Sequence, residues 1–381
     1  MNAELSAAWQ RQVVWCDRGG SPFTARVLEA AWGDWLAGGI LRELMPSWPR
    51  DPWPDAVPLR VAGALHSLVL EGTDPSLAAV YPPRRETFDT VGGPEAVRNA
   101  LRVHSARVAE YLQRPPQTNE IGRSAVLLGG FAMIAARTGL PLALRELGAS
   151  AGLNLLWPRY QYQLGPSTHW GDAASPVVIH CDWQGTPPSL AADIEIASCS
   201  GCDTAPIDLN APGAATRLAS YVWPDQRERL QRLQAAIALA KAAGIRVESV
   251  DAADFVAREL AATREGETTV VYHSIVWQYL ATETRERIRA LIKDAGARAT
   301  PAAPLAWLAL ESPDPLALPH LVLTHWPGGA RTTLAEAHPH GGFARWNAPM
   351  LESAQIPSCH SALNTRQVPF SRRQPASNSH V

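Results

Sequence analysis

Residues 142–156 read Leu-Ala-Leu-Arg-Glu-Leu-Gly-Ala-Ser-Ala-Gly-Leu-Asn-Leu-Leu. An apolar run ends at Glu146, meets Gly148, Ser150 and Gly152 at alternate positions, and resumes as an apolar stretch of helical character. Strand, glycine turn and helix is the order in which free backbone N–H groups converge on a ligand at a helix start. The same letters spell Gly-x-Ser-x-Gly, the pattern that presents a nucleophilic serine on a sharp strand-to-helix turn. One reading makes the turn a binding cradle; the other makes Ser150 a reagent.

Downstream of the turn, short apolar runs at 141–146, 193–198, 245–250, 268–273 and 304–310 alternate with helical patterns at 152–157, 212–220, 224–243, 252–262 and 281–296. That alternation predicts an α/β fold: a mostly parallel, Rossmann-like sheet with crossover helices. Runs at 320–325 and 342–347 are expected to close the sheet as an antiparallel hairpin. The Pro-, Gly- and aromatic-rich segment 160–190 reads as an insertion. Upstream, Ala25–Leu44, Leu59–Leu70, Glu95–Leu112 and Asn119–Gly139 carry helical apolar spacing. The expected organisation is an N-terminal helical cap or lid domain over 1–117, a Rossmann-like domain over 118–350, and a polar tail over 351–381 that is expected to be disordered.

With 381 residues, 46% hydrophobic and 18% charged, the chain has the composition of a globular protein. A net charge of −2 argues against a nucleic-acid or anionic-membrane partner. The longest apolar stretch, around Ala125–Ala136, is too short for a bilayer span and is cut by Gly129 and Gly130. No secretory signal is legible, so a cytoplasmic location is expected. Cys16, Cys181, Cys199, Cys202 and Cys359 are scattered and odd in number, unlike a disulfide framework. Cys199-x-x-Cys202, with His180 and Cys181 upstream, has no second C-x-x-C to complete a zinc site, so no metal is expected.

Open α/β sheets bind ligands at the carboxyl ends of their strands. The first predicted strand ends at Glu146 and the glycine turn. Past the second lies Asp203, placed to accept from ribose hydroxyls. Past the third lies Asp251-Ala-Ala-Asp254-Phe255, where Asp254 is read as accepting from an adenine amino group with Phe255 or a neighbour stacking on the ring. The fourth runs into His273-Ser-Ile-Val-Trp277-Gln-Tyr279. Each acid alone also reads as a helix N-cap. Together, a glycine turn and three acids at successive strand ends form the pattern of a class I S-adenosylmethionine-dependent methyltransferase. In that reading Glu146, Gly148, Ser150, Gly152, Asp203 and Asp254 hold S-adenosylmethionine and the acceptor is a small molecule. His273, then His340, is the candidate base, and Tyr160, Trp277 and Tyr279 line the acceptor pocket.

The chain also resembles the bacterial domain-of-unknown-function 2332 family over roughly residues 8–347. The residues that carry the resemblance include Ser21-Pro22, Thr118-Asn119-Glu120 with Arg123, the glycine turn through Asn154, Tyr160-x-Tyr162, and Gly201-Cys-Asp203-x-x-Pro206-Ile-Asp208. Tyr221-Val-Trp-Pro-Asp-Gln226, His273-Ser-x-x-Trp277-Gln-Tyr279, Trp326-Pro-Gly-Gly329 and His340-Gly341 complete the set. The family pattern implies that Asn119, Glu120 and Arg123 lie over the pocket and contact substrate; an N-cap at Asn119 accounts for the same residues locally. Two alternatives stay open. A serine hydrolase would order Ser150, then Asp254 or Glu311, then His340, but residues 1–140 offer no oxyanion loop of the kind such enzymes carry upstream. A non-catalytic S-adenosylmethionine or nucleotide binder would need only the cradle.

Overall fold

The run β1 (Leu142–Leu147) is buried at all six positions, as a strand covered on both faces must be. The structure is a computed structural model, and it describes residues 3–314 and 317–347. The expected disordered tail, with Cys359, lies outside the described residues. The strands that follow β1 are β2 (Gln161–Leu164), β3 (Thr168–Gly171), β4 (Val178–Gly185), β5 (Ile196–Asp203), β6 (Glu248–Ser249), β7 (Thr268–Ser274), β8 (Leu305–Glu311), β9 (His320–Trp326), β10 (Ala330–Ala337) and β11 (Phe343–Trp346). They form one mixed sheet in the order β3-β2-β4-β11-β10-β9-β8-β7-β1-β5-β6. The block β6-β5-β1-β7-β8 is parallel throughout.

After β1 the chain first lays down β2, β3 and β4 at the opposite edge, then adds β5 and β6 on one side of β1 and returns to β7 on its other side. The direction of winding therefore reverses between β1 and β7. β9 runs antiparallel to β8, and β10 antiparallel to β9.

Two expectations need correction. The closing hairpin joins 320–326 to 330–337, not to 342–347; β11 instead pairs antiparallel with β10 and parallel with β4. Strand β10 escaped notice because its first half, Ala-Arg-Thr-Thr, is exposed and carries no apolar alternation. The segment 160–190 is not an appendage: it supplies β2, β3 and β4, which extend the same sheet. Tyr162, Leu164, Ile179 and Cys181 are buried on alternate positions there, a period-two signal concealed by the surrounding Gly and Pro.

The helices are α1 (Ala3–Arg18), α2 (Pro22–Leu36), α3 (Ile40–Leu44), α4 (Val57–Leu70), α5 (Pro75–Ala79), α6 (Gly92–Val103), α7 (Ser105–Leu112), α8 (Ser124–Thr138), α9 (Ala214–Ser220), α10 (Arg227–Ala243), α11 (Ala252–Glu259) and α12 (Thr282–Arg298). Helix α8 lies flush on the sheet because two glycines face it. A Cβ on Gly129 would sit 2.1 Å from Trp346, and one on Gly130 2.6 Å from Leu308. Beneath α8, Phe131 stacks on Trp157 at 4.8 Å and meets Tyr272 edge-on at 5.2 Å. The helix expected at 152–157 is a 3-10 segment, Leu153–Arg159, with Pro158 inside it; a proline there removes the donor a longer helix needs.

Helices α1–α7 have a core of their own, built around Trp9, Trp32 and Trp35, and it reaches the rest of the chain at Tyr221. The docking is polar as well as apolar. Ser21 Oγ donates to Asp225, Phe23 N donates to Asp225 Oδ2 at 3.1 Å, and His66 Nδ1 donates to the Ser220 carbonyl at 3.2 Å. Thus the helical layer rests on α9 and the 220–225 turn. Among the described residues no helix is long and apolar enough to cross a membrane.

Phe131 is fully buried at the meeting point of α8, the 3-10 segment and β7. Truncating it to alanine is expected to lower the unfolding free energy by about 3–5 kcal/mol. Urea unfolding of Phe131→Ala checks this, and a loss below about 1 kcal/mol would contradict its central place in the core.

Candidate functional site

The glycine turn places three alternate residues in left-handed backbone: Gly148 at φ 68°, Ser150 at φ 54° and Gly152 at φ 75°. For Ser150 that conformation is strained, and surrounding bonds must hold it. Asp203, at the end of β5, supplies them. Its Oδ2 accepts from Ser150 N at 3.0 Å and its Oδ1 from Ala205 N at 2.9 Å. The Ser150 carbonyl in turn accepts from Ile207 N at 3.1 Å.

The turn does not offer its amides freely, contrary to the expectation of an open N–H cradle. Ala149 N bonds the Cys202 carbonyl, Gly152 N the Ala149 carbonyl, and Leu153 N the Asn119 side chain at 2.9 Å. The glycines serve packing. A Cβ on Gly148 would lie 2.3 Å from Val276, and one on Gly152 2.6 Å from Ile245. What the turn presents instead is side-chain oxygen. Ser150 Oγ and Asn154 Oδ1 are buried without a hydrogen-bond partner.

Glu146 lies buried below the turn, accepting from Tyr272 OH at 3.2 Å. Burial, with the nearby Asp203 charge adding to it, pushes its pKa up to about 8. It therefore carries its proton at neutral pH.

His273 is locked. Trp307 Nε1 can only donate, and it donates to His273 Nε2 at 3.0 Å. The proton must then sit on Nδ1, which donates to Glu311 Oε1 at 2.7 Å. Glu311 also accepts from Val276 N at 3.0 Å, and Trp277 stacks on the imidazole at 5.0 Å. With both ring nitrogens engaged, His273 braces the β7–β8 rim, and a proton could be taken up only by breaking the Trp307 bond.

The segment Asn119–Arg123 closes over this rim. Arg123 Nε donates to the Pro339 carbonyl at 2.8 Å and Nη1 to the Ser274 carbonyl at 3.1 Å. Gly122 and Gly341 pack backbone to backbone, so close that a Cβ on Gly122 would stand 2.3 Å from the His340 carbonyl oxygen. Glu120 accepts from Arg229 Nε at 2.5 Å and lies 3.9 Å from Arg232. Burial works to raise its pKa, but Arg229, His340, Arg232 and Arg123 outweigh it and hold Glu120 at about 2. Burial, together with Arg229, brings His340 down to about 3, so its imidazole is neutral.

Asn119, Glu120, Arg123 and His340 are thus gathered on one side, and Glu146, Ser150 and Asp203 beside them. Other expected residues fall elsewhere. Asp254 is exposed in the first turn of α11 and pairs with Arg287 at 2.7 Å. The acid at the strand end is Asp251, which caps α11 by accepting from Ala253 N at 2.8 Å. Phe255 and Tyr160 are fully buried, the latter with its hydroxyl on the Leu153 carbonyl, so neither presents a face to a ligand. Trp277 is spent on His273, and Tyr279 is 73% exposed.

The members of the hydrolase triad are not brought together: Glu311 serves His273, Asp254 serves Arg287, and no histidine bonds Ser150 Oγ. Cys199 and Cys202 are thiols raised to about 12 by burial. Sequence reasoning missed Arg229 and Arg232. Their i, i+3 spacing after Gln226 puts them on one face of α10, but arginine on a polar helix reads as solvated surface until its partner is known.

Residues 6–346 match a family described as "Uncharacterized protein conserved in bacteria (DUF2332)". The chain belongs to this family. No curated protein and no solved structure matches the chain. The DUF2332 match spans both the helical layer and the sheet, so the contacts between them fall within it.

Glu146 yields a pH signature. Its carboxyl keeps its proton to about 8 when folded, whereas an unfolded glutamate loses it near 4.5. Between those values unfolding releases a proton, so wild-type stability falls as pH rises. Glu146→Gln cannot ionise. The stability difference between the two proteins is therefore expected to shift in favour of the variant from about pH 4.5 to about 8, and to be flat above. Parallel denaturation curves across that range would show Glu146 ionised in the folded state.

Proposed function

We propose that the carboxyl rim formed by β1, β5 and β7 binds S-adenosylmethionine, and that the protein is a methyltransferase acting on a small molecule. The observation that carries this reading is the reversal of winding between β1 and β7, with the glycine turn at that point. Crevices at such reversals are where open α/β sheets take their ligands. The order β6-β5-β1-β7-β8 of the parallel block, with antiparallel β9 beside it, supports a Rossmann-like class I methyltransferase reading.

The residues present fit an adenosyl group by their oxygens. Asp203 is held rigidly by two amides, and a carboxylate so placed orients ribose hydroxyls. Ser150 Oγ is a buried polar atom in want of a partner. Asp251, rather than Asp254, stands at the third strand end to meet the base. Protonated Glu146 adds no negative charge beneath the site.

Bound S-adenosylmethionine supplies a methyl group already activated by its sulfonium. The chain's task is then alignment and exclusion of water, which supply much of the rate in such a transfer. His273 has no free nitrogen and His340 is a weak base at about 3, so the residues here favour an acceptor that brings its own nucleophile.

Calorimetric titration with S-adenosylmethionine and S-adenosylhomocysteine tests the reading. Saturable binding is expected in the wild type, weakened at least about tenfold, or about 1.4 kcal/mol, in Asp203→Ala. Absence of heat with both ligands in folded wild-type protein would end it. Binding without turnover over acceptor panels would leave a non-catalytic binder. Covalent capture of a fluorophosphonate that Ser150→Ala abolishes would replace the reading with a hydrolase.

A further inference from the structure

Beside the rim, positive charge is gathered in excess. Arg123, Arg229 and Arg232 surround one carboxylate, Glu120. The side chains of Arg229 and Arg232 are only 14% and 17% exposed, and that of Glu120 4%. The other groups near the cluster do not balance it. His338 and His340 are drawn toward the neutral form by burial. Glu311 faces Arg123 but is bonded to His273 and the amides of 276 and 277. Glu228 lies near Arg232 from an exposed position on α10. Burial pulls Arg123 and Arg232 below the ordinary arginine range, with Glu120 acting against it. Guanidinium groups nonetheless remain charged.

One donor is idle: Arg232 Nε is buried with no hydrogen-bond partner. Beside Arg229 a small cleft lies between Thr118–Ile121 and α10, with Leu218, Val222 and Leu233 as apolar walls and Arg229 and Glu120 among its polar ones; Arg232, one residue before Leu233, adjoins it without lining it. The cleft, about 10 Å³ in all, has room for about one oxygen-sized atom of an anion, the rest of which would lie outside it.

We propose that Arg229 and Arg232, backed by Arg123, form a binding site for the carboxylate or phosphate group of a small organic anion. Guanidinium forks match both groups in geometry and charge. Arg123 also grips the Ser274 carbonyl at the β7 rim, so an anion seated here is held next to the crevice. Calling that anion the methyl acceptor rests on the S-adenosylmethionine reading; the anion site itself does not.

Inorganic phosphate and malonate are the probes, with sodium chloride at matched ionic strength as reference. Calorimetric titration of the full chain is expected to show saturable one-site binding of at least one probe. The preferred probe tells a phosphate ester from a carboxylic acid. Arg232→Gln is expected to weaken binding at least about tenfold, and Arg232→Lys, which keeps the charge but loses the fork, by less. Arg331→Gln, the same charge change on exposed β10, should leave binding unchanged.

Failure of both probes to bind beyond chloride overturns the proposal, as does equal weakening by Arg331→Gln. Should Arg232→Gln not fold, Arg232→Lys and the wild-type titration still decide it. Anion binding by a protein that ignores S-adenosylmethionine would keep the site and remove only its assignment to a methyl acceptor. S-adenosylmethionine binding without anion binding would do the reverse.

Discussion

The Asp203 carboxylate, bridging the end of β5 to the Ser150 amide at the end of β1, is the contact on which the site depends. A serine in left-handed backbone is unfavourable alone. It is tolerated because a charge-assisted bond from the neighbouring strand holds the peptide in place. The same bond fixes where Asp203 points, and it leaves Ser150 Oγ buried without a partner. The parallel pairing of β1 with β5 brings Asp203 and Ser150 within reach of each other.

Around that contact the chain spends its polar groups on rigidity. His273, Glu311, Trp307 and Trp277 lock the β7–β8 rim into a single tautomer and a single stack. Arg123 ties the Asn119–Arg123 segment to the end of β7 and to the 338–341 loop. Such bracing suits a site whose work is positioning, since a group held within a narrow geometry loses little freedom when its partner arrives. The exception is the arginine cluster, where Arg123, Arg229 and Arg232 face the single carboxylate of Glu120 and Arg232 Nε has no hydrogen-bond partner.

Much of the fold was legible in the residues because hydrophobic period survives in them. Of the five parallel strands, β1, β7 and β8 appear within a residue or so of the expected apolar runs; β5 starts three residues later than the run at 193–198, and the run at 245–250 yields only the two exposed residues of β6. Strands β2 to β4 and β10 were not legible, because a strand at the less-covered part of a sheet needs only half its side chains apolar, and Gly, Pro and Thr blur the alternation. In the site, the glycine turn and Asp203 were visible as a spacing. Asp251 and Asp254 read alike at a helix start, and only the structure shows that Asp251 caps α11 while Asp254 pairs with Arg287.

The sequence by itself determined the alternation of strand and helix, the position of the glycine turn and the helical character of the first 140 residues, since these rest on local propensity and period. Only the tertiary structure decided that the amides of Ala149, Ser150, Gly152 and Leu153 are already taken, that His273 has no nitrogen to spare, and that Arg229 and Arg232 of α10 converge on Glu120 from more than a hundred residues away. Hydrogen-bond satisfaction and charge balance are properties of neighbours in space. Separation along a chain carries no record of them.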